Sequence, residues 1–140
     1  MDDYRALENL VVTYAELVDA GDFDGVGALF AAGTFVGGGG TFRGAEVARM
    51  LRDTVIVYED GTPRTKHVTT NIALEVSGDT ASGRACFTVL QAAPGLPLQT
   101  IAAGRYADRF TRTADGWRFT ERRVTVDLVG DVGHHLRLRP

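Results

Sequence analysis

Four long alternating runs separated by tight-turn triplets fill the second half of this chain, and they constrain its fold more than any other feature. The runs cover about Thr65 to Val76, Thr80 to Ala92, Leu98 to Thr111 and Gly116 to Leu128, with Ser77-Gly78-Asp79, Ala93-Pro94-Gly95 and Ala114-Asp115-Gly116 as turns between them. Connections this short join antiparallel neighbours. The first half reads differently. Leu7, Leu10, Val11, Tyr14, Leu17 and Val18 recur at helical spacing between Asp2 and Ala20, and Gly21 follows as a C-terminal stop. Asp22 can cap a second, short helix through Phe30, with Val26, Leu29 and Phe30 inward. A third helix is expected from near Gly44 to the mid-fifties, with Val47, Met50, Leu51 and Thr54 on one side. Between the second and third helices, Thr34 to Arg43 reads as a short strand or hairpin. It is interrupted by Gly37 to Gly40, a stretch too permissive to hold one conformation alone and expected to be a mobile rim. Helices first and consecutive strands last predict an α+β fold, with helices packed on one face of a curved antiparallel sheet.

Composition narrows the function classes. A chain of 140 residues suits a single domain over 1–140, with no repeat or linker. The net charge of −3 includes no long basic run, so the phosphate-neutralising stripe of a nucleic-acid partner is missing. Cys86 stands alone in the run Ala85-Cys86-Phe87-Thr88-Val89, which excludes an internal disulfide. Met1-Asp2-Asp3 lacks a signal-peptide pattern and no apolar run approaches membrane-spanning length, so no membrane partner and a cytoplasmic location are expected. Gly37 to Gly40 lacks the lysine and hydroxyl of a phosphate-binding loop, and no nucleophile elbow occurs. His134-His135 could suggest a metal, but adjacent side chains in an extended tail point apart and no third ligand has diagnostic spacing. A tail contact is the better reading, and no metal or cofactor is expected.

Two residues sit where structure alone predicts others. Asp19 lies in the last turn of the first helix, where exposed carbonyls disfavour a carboxylate unless a cationic or hydrogen-bonding partner offsets them. His67 lies early in a strand, and an imidazole held by a carboxylate can act as a general base near neutral pH. Alternation places Val68, Ile72, Leu74 and Val76 on one face and His67, Thr69 and Asn71 on the other, so His67 faces either a polar-walled pocket or water. The pocket is favoured, since Thr69 and Asn71 would orient an oxygenated ligand in an otherwise apolar site. Tyr14 belongs to the buried stripe and could also point its phenol at a substrate oxygen. Trp117, Phe119 and Arg123 share a strand face by simple alternation, whereas Val124, Val126 and Leu128 take the opposite parity. That conflict implies a twist or bulge near Glu121-Arg122 and leaves Arg122 and Arg123 unseparated.

Several segments together resemble the SnoaL-like branch of the nuclear transport factor 2-like (NTF2-like) superfamily. They are Tyr14 with Asp19-Ala20-Gly21-Asp22-Phe23-Asp24, Phe42-Arg43-Gly44, His67-Val68-Thr69-Thr70-Asn71, Gly104-Arg105-Tyr106-Ala107-Asp108-Arg109-Phe110 and Asp115-Gly116-Trp117-Arg118-Phe119. The resemblance covers nearly the whole chain. It implies a cone-shaped curved sheet, with three N-terminal helices enclosing a pocket, and a homodimer or higher homo-oligomer. Dehydratases and dehydrohalogenases of that superfamily pair a histidine base with an aspartate from the end of the first helix. Some add a tyrosine in that helix or an arginine on the last strand. The matching positions are His67, Asp19, Tyr14 and Arg123 or its neighbour Arg122. Other members are isomerases, polyketide cyclases, epoxide hydrolases, non-catalytic subunits and binding modules, so fold alone does not determine chemistry.

The expectation is therefore a cofactor-independent lyase or isomerase of the dehydratase type. It would act on a hydrophobic, oxygenated small molecule that is steroid-like, terpenoid or polyketide-derived. Asp19, His67, Tyr14 and Arg123 are the expected catalytic residues. Phe35, Met50, Thr69, Asn71, Phe87 and Tyr106 are the expected substrate-binding wall. The alternatives are a polyketide-type cyclase and a non-catalytic small-molecule-binding or assembly module.

Overall fold

The computed structural model describes residues 2–137. Three helices precede and interrupt a six-stranded sheet: α1 Asp3–Ala20, α2 Phe23–Leu29, β1 Thr34–Gly37, β2 Gly40–Arg43, α3 Ala45–Thr54, β3 Thr65–Ser77, β4 Thr80–Ala93, β5 Leu96–Thr113 and β6 Gly116–Val129. The sheet order is β2-β1-β6-β5-β4-β3. Neighbours are antiparallel except for β1, which runs parallel to β6. The expected α+β cone is thus observed, with one parallel pair added by the return of β1 to the last strand.

Local chemistry accounts for the element ends. The Asp2 carboxylate caps α1 by accepting from the Arg5 amide at 2.9 Å. Leu7, Val11, Tyr14 and Val18 are buried against the sheet. α1 ends in a Schellman arrangement: the Gly21 amide donates to Val18 O and the Asp22 amide to Leu17 O, at 3.0 and 2.9 Å. Gly21 has φ +75°, and a Cβ there would lie 2.2 Å from Gly61 O, so glycine is required both by the helix stop and by the docked loop. Gly38 and Gly39 both adopt positive φ, 61° and 82°, as a two-residue type I′ hairpin turn requires. The glycine run expected to be a mobile rim is therefore the tip of the β1–β2 hairpin.

Of the register shifts that bend the sheet, two re-aim the side chains that matter for the site. In β3 the pairing shifts between Thr70 and Ala73, with Asn71 at φ 54°. In β6 one shift falls at Thr120, between the pairs Phe110–Phe119 and Arg109–Glu121. One extra residue reverses side-chain parity. His67 and Thr69 before the first bulge, and Ile72, Leu74 and Val76 after it, therefore all turn towards the helices, while Val68 is 42 % exposed on the outer face. In β6 the bulge carries Trp117, Phe119, Arg122 and Val124 inward and turns Arg123 out.

The C-terminal segment folds back over the end of the core. The Ile56 amide donates to His135 O and the Arg137 amide to Thr54 O, both at 2.8 Å. The Tyr58 hydroxyl donates to His134 O, and Leu136 bridges to Val55. Buried Gln91 ties two segments together, donating at 3.0 Å to both Pro63 O and His134 O.

Candidate active site

The helix stop at Gly21 places Asp19 where the loop before β3 arrives. The Asp60 carboxylate accepts from the amide and hydroxyl of Thr62, both at 2.9 Å, which shapes the loop that packs on Gly21 and leads into β3. Thr65 and His67 then lie on the inner face of β3, opposite the last turn of α1.

There the Asp19 carboxylate accepts three hydrogen bonds: from His67 Nδ1 at 2.6 Å, from the His67 amide at 2.7 Å and from Thr65 Oγ1 at 2.8 Å. Burial works to raise the Asp19 pKa, but the His67 ring, its positive charge when protonated, its amide and the Thr65 hydroxyl outweigh burial and lower it. These bonds also answer the charge problem at the helix C-terminus, where no basic residue lies in the last turn. An ionised carboxylate only accepts, so in the neutral form of the imidazole the proton lies on Nδ1 and Nε2 keeps its lone pair. The His67 and Asp19 side chains are 10 % and 11 % exposed, enough to reach a cleft while mostly shielded from water.

That cleft, about 600 Å³, opens between α1 and β3. Val12, Ala15, Glu16 and Asp19 line its helical side, and Lys66, His67 and Thr69 its strand side. The volume lies within the range of about 300–1,000 Å³ usual for small-molecule sites. Thr69 Oγ1 is buried there without a hydrogen-bond partner among the described residues.

Residues 1–123 match the family model of the SnoaL-like domain. The chain belongs to the SnoaL-like domain family. It is 30% identical over 128 residues to the uncharacterized protein Rv2910c of Mycobacterium tuberculosis, covering 87% of this chain and 84% of that protein. Among solved structures it is similar to Rv3472, a protein of unknown function from Mycobacterium tuberculosis. That match has 26% identity and a TM-score of 0.74 over 90% of this chain and 77% of the other. A proposed dehydratase of the NTF2-like family from Streptomyces avermitilis shares the fold at 20% identity and a TM-score of 0.71, over 91% of this chain and 97% of that one.

In this SnoaL-like domain the other expected site residues separate into groups. Tyr14, Phe35, Phe87 and Tyr106 are buried in an aromatic layer and do not line the dyad's cleft. Phe87 stacks on Tyr106 at 4.7 Å and Tyr14 on Phe35 at 6.4 Å. Burial pushes the Tyr14 phenol up to about 12, against the nearby Arg122 charge, so it is a neutral O–H at ordinary pH. The layer adjoins the cleft through the cross-strand pair Thr69–Phe87. Met50 is half-buried on α3 and packs against the core away from the cleft.

Asn71 and Arg123 are corrections. The β3 bulge turns Asn71 to the exposed outer face, where its amide meets Cys86 Sγ at 3.7 Å. Arg123 is 56 % exposed and pairs loosely with Glu121 at 3.8 Å. Arg122 is the inward arginine. Its side chain is 0 % exposed, Nε and Nη2 donate to Asp108 at 2.8 and 2.9 Å, and its guanidinium lies 3.7 Å from the Tyr106 ring centroid and 4.4 Å from that of Tyr14. Burial opposes the Arg122 charge, and the Asp108 bonds more than offset that and raise its pKa.

Two further residues belong to the site's surroundings. Thr65 is a direct Asp19 partner, detectable only once His67 is paired with Asp19, because it stands two positions earlier on the same strand face. His135, expected to be a tail contact only, is buried with its ring centroid 6.5 Å from that of His67. Val132 and Leu136 flank it as apolar anchors in the tail, the signal that this segment docks. Among the described residues no helix is long and apolar enough to cross a membrane, and no cluster of ligands suited to a metal ion occurs.

Proposed function

We propose that this protein is a cofactor-independent enzyme of the dehydratase or isomerase type, acting on a hydrophobic, oxygenated small molecule bound at the α1–β3 cleft. The observation that carries the reading is the hydrogen-bonded Asp19–His67 pair at 2.6 Å, joining residues 48 positions apart in the chain. Family membership and the shared fold of a proposed dehydratase support it.

In this reading neutral His67 takes, on Nε2, a proton from the carbon next to a substrate carbonyl. The C–H electron pair moves onto the carbonyl oxygen as an enolate. The Asp19 carboxylate stabilises the imidazolium and keeps the ring in one tautomer. Collapse of the enolate expels hydroxide from the β carbon, and the proton on His67 neutralises it to water. Return of the proton to a different carbon gives an isomer instead. Either route restores neutral His67 and needs no external oxidant or reductant. The reading gives Thr69 Oγ1, which lacks a partner among the described residues, the role of holding a substrate oxygen.

The test is turnover of a panel of β-hydroxyketones and β,γ-enones by wild type, His67→Ala and Asp19→Asn. Each substitution should lower kcat by about 10²–10⁴ while the unfolding midpoint stays in the folded range. Activity equal to wild type in both variants, or no turnover of any panel member by wild type, overturns the proposal.

A further inference from the structure

The docked C-terminal segment brings a second imidazole to the dyad. His135 is 9% exposed, and its ring meets that of His67 at 66° with 6.5 Å between centroids. This separation exceeds a direct hydrogen bond between the rings. His135 Nδ1 is sealed from solvent without a partner among the described residues, and no hydrogen bond among them reaches Nε2. A sealed donor without an acceptor costs more than a sealed lone pair, so the single proton of the neutral ring belongs on Nε2.

The backbone around His135 is secured on three sides. Ile56 donates to its carbonyl, its own amide donates to Val132 O, and Gln91 and Tyr58 both donate to the carbonyl of His134. The ring is thus held by the fold. His135 also lies outside residues 1–123, the part of the chain that the family model covers.

We infer that His135 is a further catalytic residue, a neutral N–H donor that receives the oxygen on which negative charge develops while His67 takes the proton. The inference rests on the proton-abstraction reading of the Asp19–His67 pair. No proton leaves His135. The new bond is a hydrogen bond from its Nε2–H to the enolate oxygen, present in the transition state and weaker to the ground-state carbonyl. The surroundings suit that division of labour. Burial, with the His67 charge second, holds the His135 pKa down to about 4, against a smaller opposing effect of Asp19. Its ring is therefore uncharged and a poor base where His67 works. A neutral imidazole used as a donor beside a separate base is an established catalytic pattern.

The variants are His135→Phe, which keeps the ring shape without the N–H, and His135→Gln, which restores an N–H on an amide. With a substrate whose turnover depends on His67, His135→Phe should lower kcat by about 10²–10³ with little change in KM, and His135→Gln should recover part of the loss. Amide exchange at Ile56 and Arg137 reports whether the tail stays docked. Wild-type kcat in His135→Phe overturns the inference and leaves the proposed function standing. Equal losses in both variants, accompanied by fast exchange at Ile56, overturn it in favour of a structural role. If no substrate is turned over, the proposed function fails, and binding of a nitrophenolate, followed by its absorbance, decides the donor role. Weaker binding in His135→Phe but not in Asp19→Asn supports the donor, and equal binding in wild type and His135→Phe overturns it.

Discussion

Acidification should loosen this protein through His135, and the size of the effect follows from its environment. Burial, aided by the His67 charge, lowers its pKa from 6.5 to about 4. Between those values the unfolded chain binds a proton that the folded chain refuses, so stability rises with pH across that window and is lost as pH falls from the unfolded value towards the folded one. At about 1.4 kcal/mol per pKa unit, the full loss is about 3 kcal/mol, and about 2 kcal/mol of it falls between about pH 7 and pH 5. The charged or titratable side chains coupled to His135 are His67 and Asp19. Both remain in the variant His135→Phe, so their contributions largely cancel when its pH profile is subtracted from that of wild type. Urea unfolding followed by the fluorescence of buried Trp117, at a series of pH values, measures the difference. Amide exchange at Ile56, Leu136 and Arg137 separates opening of the tail from global unfolding. Parallel profiles for wild type and His135→Phe would refute the buried, neutral assignment of this ring.

Other substitutions test the remaining construction. Arg122→Met strands the buried Asp108 carboxylate and should cost about 3–5 kcal/mol in a urea titration, whereas Arg122→Met combined with Asp108→Leu should recover most of it. Gly104→Ala places a Cβ 2.1 Å from Thr125 O and 2.7 Å from the Phe87 ring. It should cost at least about 1–3 kcal/mol by the same measurement. Thr65→Val removes the hydroxyl bond to Asp19 at 2.8 Å, so the Asp19 pKa should rise, observable in the carboxyl carbon shift on titration.

Most of the architecture was legible in the sequence because the signals were local and redundant. Gly21, Gly78 and Gly95 punctuate the chain by backbone preference and Asp22 by its side-chain cap on the Gly25 amide, and each stands at the expected boundary. The stripe from Leu7 to Val18 has one period and one buried face, so α1 was readable residue by residue. The Asp19–His67 contact was anticipated for a different reason. A carboxylate in the last turn of a helix requires compensation, and the resemblance supplied the partner.

What sequence pattern could not resolve was parity across a bulge. The apolar residues Ile72, Leu74 and Val76 and the polar pair His67 and Thr69 claim opposite faces only if β3 alternates without interruption. Asn71, one of the few residue types that tolerates positive φ, removes the conflict by absorbing one position, and both sets turn inward. The same physics at Thr120 decides between Arg122 and Arg123, because the extra residue lets an inward Phe119 be followed by an inward Arg122. The bulges are therefore what allow a single strand to present a histidine to the cleft at one end and aliphatic packing at the other. His135 eluded pattern for a second reason. Adjacent histidines in a tail carry no periodicity, and the docking contacts come from Thr54, Ile56, Tyr58 and Gln91, whose backbone or side-chain hydrogen bonds leave no trace in hydropathy. Its place beside the dyad is a property of how the chain closes on itself, so it is readable only in three dimensions.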